Sequence, residues 1–130
     1  MDTMELVKQH ADEMIQIRRH IHQHPELSNQ EFKTTELIKE KLTEYGIEIA
    51  EIGLKTGVVG ILRGKNPGKT VAIREDIDAL PMQELTGLPF ASESENVCHS
   101  CGHDIHTTTL LYTAKVLSEL KSELNGNVMF

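Results

Sequence analysis

The chain is 130 residues long, the size of one modest domain that buries roughly two-thirds of its unfolded surface. Its 38% hydrophobic and 25% charged residues are those of an ordinary globular protein. A net charge of −7 argues against nucleic acid or an anionic membrane as partner, since both need a basic face, and no apolar run approaches a membrane span.

Residues 2–22 read as one helix. Val7, His10, Met14, Ile17 and Ile21 recur three or four apart, Asp2 or Thr3 can cap the start, and Pro25 closes the run. Ser28-Asn29-Gln30-Glu31 has the form of a capping box. It predicts a second helix from Asn29, with Phe32, Thr35, Ile38, Leu42 and Tyr45 on the buried stripe and Gly46 as the stop. Ile47-Glu48-Ile49 with Ile52 then suggests an edge-like strand. Val58–Leu62 and Thr70–Arg74 are apolar runs around the turn Gly64-Lys65-Asn66-Pro67-Gly68, so an antiparallel hairpin is expected.

From Ala79 to Ser100 no period is visible, and Pro81, Gly87 and Pro89 punctuate the segment. A loop of that length in a compact domain is either functional or disordered. A helix follows with Leu110, Leu111, Ala114, Leu117 and Leu120 as its apolar face, broken by Gly126. Asn127-Val128-Met129-Phe130 reads as the opening of another strand, and the expectation is a sequence that is cut, not concluded.

The chemistry concentrates in Cys98-His99-Ser100-Cys101-Gly102-His103-Asp104-Ile105-His106, which holds both cysteines of the chain. Thiolate sulfur and neutral imidazole are the groups that zinc and its neighbours favour. Three readings fit. Cys98, Cys101, His103 and His106 would close a structural zinc shell, although such sites usually pair two separated half-motifs. Cys98-x-x-Cys101 ahead of a helix would serve thiol redox chemistry. In a catalytic metal site, only some of these residues are ligands and others come from elsewhere in the fold. Upstream, Asp76 and Asp78 point the same way in extended backbone, able to hold a cation or to orient an imidazole that does. His20, His22 and His24 read as solvated or packing histidines. With two closely spaced cysteines and no basic-then-apolar start, a reducing cytoplasm is the expected compartment.

Together these residues resemble the N-terminal part of the metal-dependent amidohydrolases that include hippurate hydrolases, N-acyl-amino-acid amidohydrolases, N-acetyldiaminopimelate deacetylases and auxin-conjugate hydrolases. The likeness runs through Arg18-Arg19-His20-Ile21-His22, His24-Pro25-Glu26-Leu27-Ser28, Thr56-Gly57-Val58, Arg74 to Pro81, Glu84 to Phe90 and His99 to Thr107.

The resemblance implies an α/β fold: the N-terminal part of a zinc-exopeptidase-like catalytic domain, a mixed sheet flanked by helices, spanning residues 1–130 and incomplete. It implies two divalent metal ions per complete site, Cys101 and His103 as metal ligands, Asp78 as the catalytic aspartate, and hydrolysis of small N-acyl amino acids. The family's general-base glutamate, further histidine ligands and lid or dimerisation domain are missing from these 130 residues, so the isolated chain is expected to be inactive. A homodimer or a complementing chain is the expected partner. The other reading is a non-catalytic truncated paralogue. Glu75 and Cys98 depart from the family pattern, where a small residue and methionine are usual.

Overall fold

The computed structural model describes residues 2–130. Four helices, a short 3₁₀ turn and four strands follow one another in the order α1 (Thr3–Gln9), α2 (Ala11–Gln23), α3 (Phe32–Glu44), β1 (Glu48–Ile49), β2 (Gly60–Arg63), β3 (Asn66–Ala72), α4 (His103–Glu119), the turn Lys121–Glu123 and β4 (Asn125–Met129).

The first helical run is two helices, not one. Asp2 caps α1 by accepting the Met4 N–H, as its sequence position suggests. The chain then breaks at His10. Leu6, not Val7, is the residue of α1 that is buried, while Ile17 and Ile21 of α2 face the core as expected.

The capping box does not form. Asn29 lies in a turn at φ 64, and Glu31 at the N-cap makes no side-chain capping bond. Glu26 caps α3 instead: its carboxylate accepts the Lys33 N–H (3.1 Å), the Thr34 N–H (2.6 Å) and the Thr34 hydroxyl (2.7 Å). Because the helix starts later, Phe32 is exposed and Thr34 joins Thr35, Ile38 and Leu42 inside. Gly46 ends α3 at φ 73, with its N–H on Thr43 and the Ile47 N–H on Leu42, the paired bonds of a Schellman stop.

The expected hairpin of β2 and β3 is replaced by a different pairing. The sheet order is β1-β2-β4-β3, so β4 inserts between them, antiparallel to β2 and parallel to β3. The sheet is mixed. Glycine makes the insertion feasible. A Cβ on Gly68 would stand 2.7 Å from the Gly126 nitrogen, and one on Gly126 would collide with the backbone of Lys69. The β3–β4 register slips between Asn66 and Thr70 at this contact, a bulge that lets the two backbones approach. β3, α4 and β4 thus form a strand–helix–strand unit with parallel strands.

The core gathers Ile17 and Ile21 from α2, Ile38 and Leu42 from α3, Leu62 from β2, Leu110, Leu111 and Ala114 from α4, and Phe130. Leu42, Leu62 and Leu111 are essentially sealed from water, each contributing about 1.5–3 kcal/mol of burial. β3 stays exposed along its whole length. Among the described residues no helix is long and apolar enough to cross a membrane.

Candidate metal centre

Parallel pairing of β3 and β4 requires a crossover, and α4 is that crossover. Its N-terminus returns to the carboxyl end of β3, where the chain runs on through Arg74–Leu80. Asp78 and His103 meet there. The His103 Nδ1–H donates to the Asp78 backbone carbonyl and to its Oδ1, both at 2.9 Å. A carbonyl only accepts, so Nδ1 carries a proton, which leaves Nε2 as the ring nitrogen able to serve as a metal donor. His103 and Asp78 are both partly exposed, at 20% and 27% of their side chains.

Cys101 is exposed and unbridged, two residues before His103. Gly102 between them is the N-cap of α4 at φ 129, in the left-handed half of backbone space that side chains strain to reach. It sets the angle at which Cys101 and His103 leave the backbone. Cys98 is in a different setting, buried at 4% exposure with its backbone paired to Leu80 in both directions (3.0 and 3.1 Å).

Asp76 does not join Asp78. Its Oδ1 accepts from Arg74 at 2.6 Å, and its carbonyl takes the Thr107 hydroxyl at 3.4 Å. Glu75 pairs with His106 at 3.6 Å, and the His106 ring lies 6.0 Å from that of His103. Among the described residues no three His, Cys, Asp or Glu side chains enclose a position for an ion. The contact that forms here is His103 with Asp78, and Cys101 lies two residues upstream of His103 in the chain. That set suits a metal only as part of a larger shell.

The 80–100 segment is ordered, strapped across the end of α2. Phe90 lies under both Arg18 (5.3 Å) and Arg19 (4.7 Å). The Glu93 N–H donates to the Gln23 carbonyl at 2.9 Å. Glu84 is buried against His22, with the His22 Nε2 at 2.8 Å from Oε1. Burial pushes the Glu84 carboxyl up, but the Thr86 hydroxyl, the Ser92 N–H and the His22 ring together hold it below the usual carboxylate value.

The other nitrogen of His22 lies 2.7 Å from Oδ2 of Asp104, which is 1% exposed. Arg18 Nε stands 3.0 Å from the same oxygen, at ion-pair distance though not aligned for a hydrogen bond. His99 is buried beside this group, and neither of its ring nitrogens has a partner. Burial lowers its pKa.

Sequence reasoning treated His22 as a packing histidine and gave Glu84 no role. The available signal was Arg18 and His22, four apart on one helix face. His20 and His24 do stack, with ring centroids 4.4 Å apart, and His24 faces Glu93 at 3.3 Å. The main apolar cleft, about 310 Å³, is lined by Ile38, Leu42, Val58, Ile73, Leu110 and Phe130 among others, and neither Cys101 nor His103 borders it.

Residues 72–130 match Peptidase family M20/M25/M40. An N-acetyl-L-cysteine deacetylase of Bacillus subtilis is 50% identical over 116 residues, covering 89% of this chain and 28% of that protein. A hippurate hydrolase of Campylobacter jejuni is 51% identical over 106 residues, covering 82% of this chain and 28% of that protein. The fold superimposes with a TM-score of 0.92 on the crystal structure of the Bacillus subtilis YXEP protein, a dinuclear metal-binding peptidase from the M20 family. Identity there is 48%, over 95% of this chain and 34% of the other. The chain spans about a third of the length of these relatives. The chain is thus half-identical to these relatives over most of its own length, shares the fold of one, and over residues 72–130 is similar to Peptidase family M20/M25/M40.

Proposed function

We propose that residues 1–130 form part of the catalytic domain of a metal-dependent amidohydrolase that cleaves the N-acyl bond of small N-acylated amino acids. Cys101 and His103 are its contribution to a two-ion centre, and Asp78 is the catalytic aspartate that orients His103. The observation that carries the reading is the His103 Nδ1–H held by both acceptors of Asp78. An imidazole fixed in this way has one ring orientation with Nδ1 protonated, as second-shell carboxylates provide in metal sites. Thiolate and imidazole suit zinc and neighbouring first-row ions.

A divalent ion in such a centre supplies Lewis-acid polarisation of the acyl carbonyl and a water of lowered pKa. The chain's own residues do the positioning. Asp78 keeps the proton on Nδ1, Gly102 sets the angle between the two donors, and the start of α4 holds both in place. The substrate class follows from the names of the relatives: N-acetylcysteine and hippurate both join a small acyl group to an amino acid through an amide.

Two donors cannot enclose an ion pair, and no third joins them among the described residues. The remaining ligands and the general base are assigned to residues outside these 130, on the same polypeptide or on a complementing one. Cobalt(II) titration of the chain tests the ligand pair: a thiolate-to-cobalt absorption band that disappears in Cys101→Ser is expected, and an unchanged band in that variant rejects it. The isolated chain is expected to show no hydrolysis of N-acetyl or N-benzoyl amino acids above a metal-only control. Measurable turnover would overturn the incomplete centre.

A further inference from the structure

We propose that His22 is a positioning residue for the Cys101–His103 donor pair, bridging the start of α4 to the 80–100 strap through two buried carboxylates. The inference rests on the reading of Cys101 and His103 as metal ligands.

Cys101 and His103 sit at the junction of two pieces of chain. His103 opens α4, and Asp104 follows it directly. Cys101 arrives at the end of the strap that begins near Leu80 and returns to it through the Leu80–Cys98 bridge. The relative placement of the two donors therefore depends on how the strap is fixed to the helix. His22 makes that link atom to atom. Nδ1 lies 2.7 Å from Asp104 Oδ2 and Nε2 lies 2.8 Å from Glu84 Oε1. Carboxylate oxygens accept, so the ring donates on both sides.

The link is specific because it is buried. His22 is 6% exposed, and the side chains of Asp104 and Glu84 are 1% and 5% exposed. Arg18 completes a set of two basic and two acidic groups. Losing one member of such a set leaves a buried charge without its partner, so the arrangement has one satisfied geometry and resists slipping. Glu84 spreads the constraint along the strap by accepting the Ser92 N–H at 3.1 Å and the Thr86 hydroxyl.

A purely structural ion-pair cluster would affect stability without affecting the metal site. The test is cobalt(II) titration of the 130-residue chain, reading affinity, the thiolate-to-cobalt band and the visible d–d bands, with urea unfolding in parallel. His22→Gln and Glu84→Gln are each expected to weaken cobalt binding about 10-fold or more and to shift the d–d bands. The double variant should fall no further than His22→Gln alone, because the two residues act as one link. Ile38→Val, a mild core lesion away from the cluster, should lower stability and leave both spectrum and affinity unchanged. If His22→Gln fails to fold, Glu84→Gln carries the test. A wild-type chain with no Cys101-dependent band rejects the ligand reading and this inference with it. A wild-type band that both glutamine variants reproduce within twofold in affinity, with the same spectrum, rejects the positioning role alone.

Discussion

Replacing Glu26 by alanine removes three hydrogen bonds at once from the first turn of α3. Oε1 accepts both the N–H and the hydroxyl of Thr34, and Oε2 accepts the Lys33 N–H. The Lys33 amide is near solvent, so water replaces its partner at little cost. Thr34 is 5% exposed, and its two donors would be left buried and unpaired. Loss of a helix cap costs about 1 kcal/mol, and an unsatisfied buried donor about 1–3 kcal/mol. The two figures overlap in the Thr34 amide, so about 2–3 kcal/mol is the expected loss for Glu26→Ala. Glu26→Gln keeps a carbonyl oxygen for Thr34 and loses the Lys33 bond and the charge at the helix N-terminus, a loss of about 1 kcal/mol. Urea unfolding followed by circular dichroism measures both. Cobalt binding should survive in each, because the Ala79 N–H is held by the Glu26 backbone carbonyl at 2.8 Å and not by its side chain. A Glu26→Ala chain within 0.5 kcal/mol of wild type, on the order of the scatter for surface substitutions, would refute the capping argument.

Three further outcomes follow from the same geometry. The chain has two tyrosines and no tryptophan, so phenolate absorbance reads only Tyr45 and Tyr112. Burial, reinforced by Glu13 and Glu44, pushes Tyr45 up to about 12, and burial raises Tyr112 as well. At pH 10, where a free tyrosine is half ionised, about 1% of Tyr45 should be phenolate in the folded chain. A half-developed signal there contradicts the buried placement. The Glu84 carboxyl has a folded value below its unfolded one of 4.5. Its contribution to stability is thus complete above that pH and is lost as pH falls through the folded value. The acid limb of the pH–stability curve should be shallower in Glu84→Gln, and an identical limb argues against the pairing with His22. Asp78→Ala should weaken cobalt binding about 10–100-fold while the Cys101-dependent band persists; unchanged affinity would mean Asp78 does not orient the ligand.

The parts of this fold legible in the sequence are those fixed by local pattern. Ile17, Ile21, Ile38, Leu42, Leu110, Leu111 and Ala114 lie on the buried faces their spacing predicts, and Gly46 stops its helix. The misreadings share a cause. Val7, Phe32 and the Ser28–Glu31 box follow from a local pattern that does not mark where the helices start and stop, at His10 and at Phe32. Glu26 displaces the capping box by accepting the Lys33 and Thr34 amides from seven and eight residues upstream. The β2–β3 hairpin has every local signal in its favour, and it is overridden by a strand more than fifty residues away that pairs with both partners. At the site, clustered donor types were visible in the sequence, as was the pairing of an acid with an imidazole. The resemblance singles out Asp78, whereas its contact with His103 depends on the return of α4. The His22 bridge joins residues 82 and 62 positions apart, a separation no spacing rule reaches.

That return of α4 makes the sheet order a determinant of the site, and Gly126 is where the dependence can be tested. It sits at φ 89, with the backbone of Gly68 and Lys69 where a side chain would begin. Gly126→Ala forces a left-handed residue with a Cβ, costing about 1–2 kcal/mol, and overpacks the contact with β3 for about 1–3 kcal/mol more. β3 is an edge strand with every residue exposed, so it is the element free to give way. When it shifts, the run from Ile73 to Asp78 shifts with it, while His103 stays with α4 in the core. The expected result is therefore a destabilised chain, by about 2–5 kcal/mol in urea, whose cobalt affinity also falls although Gly126 touches no donor. Ile38→Val separates this from general weakening, since it lowers stability without moving β3. If Gly126→Ala loses stability and keeps wild-type cobalt affinity, the Asp78–His103 contact does not depend on the packing of β3 against β4.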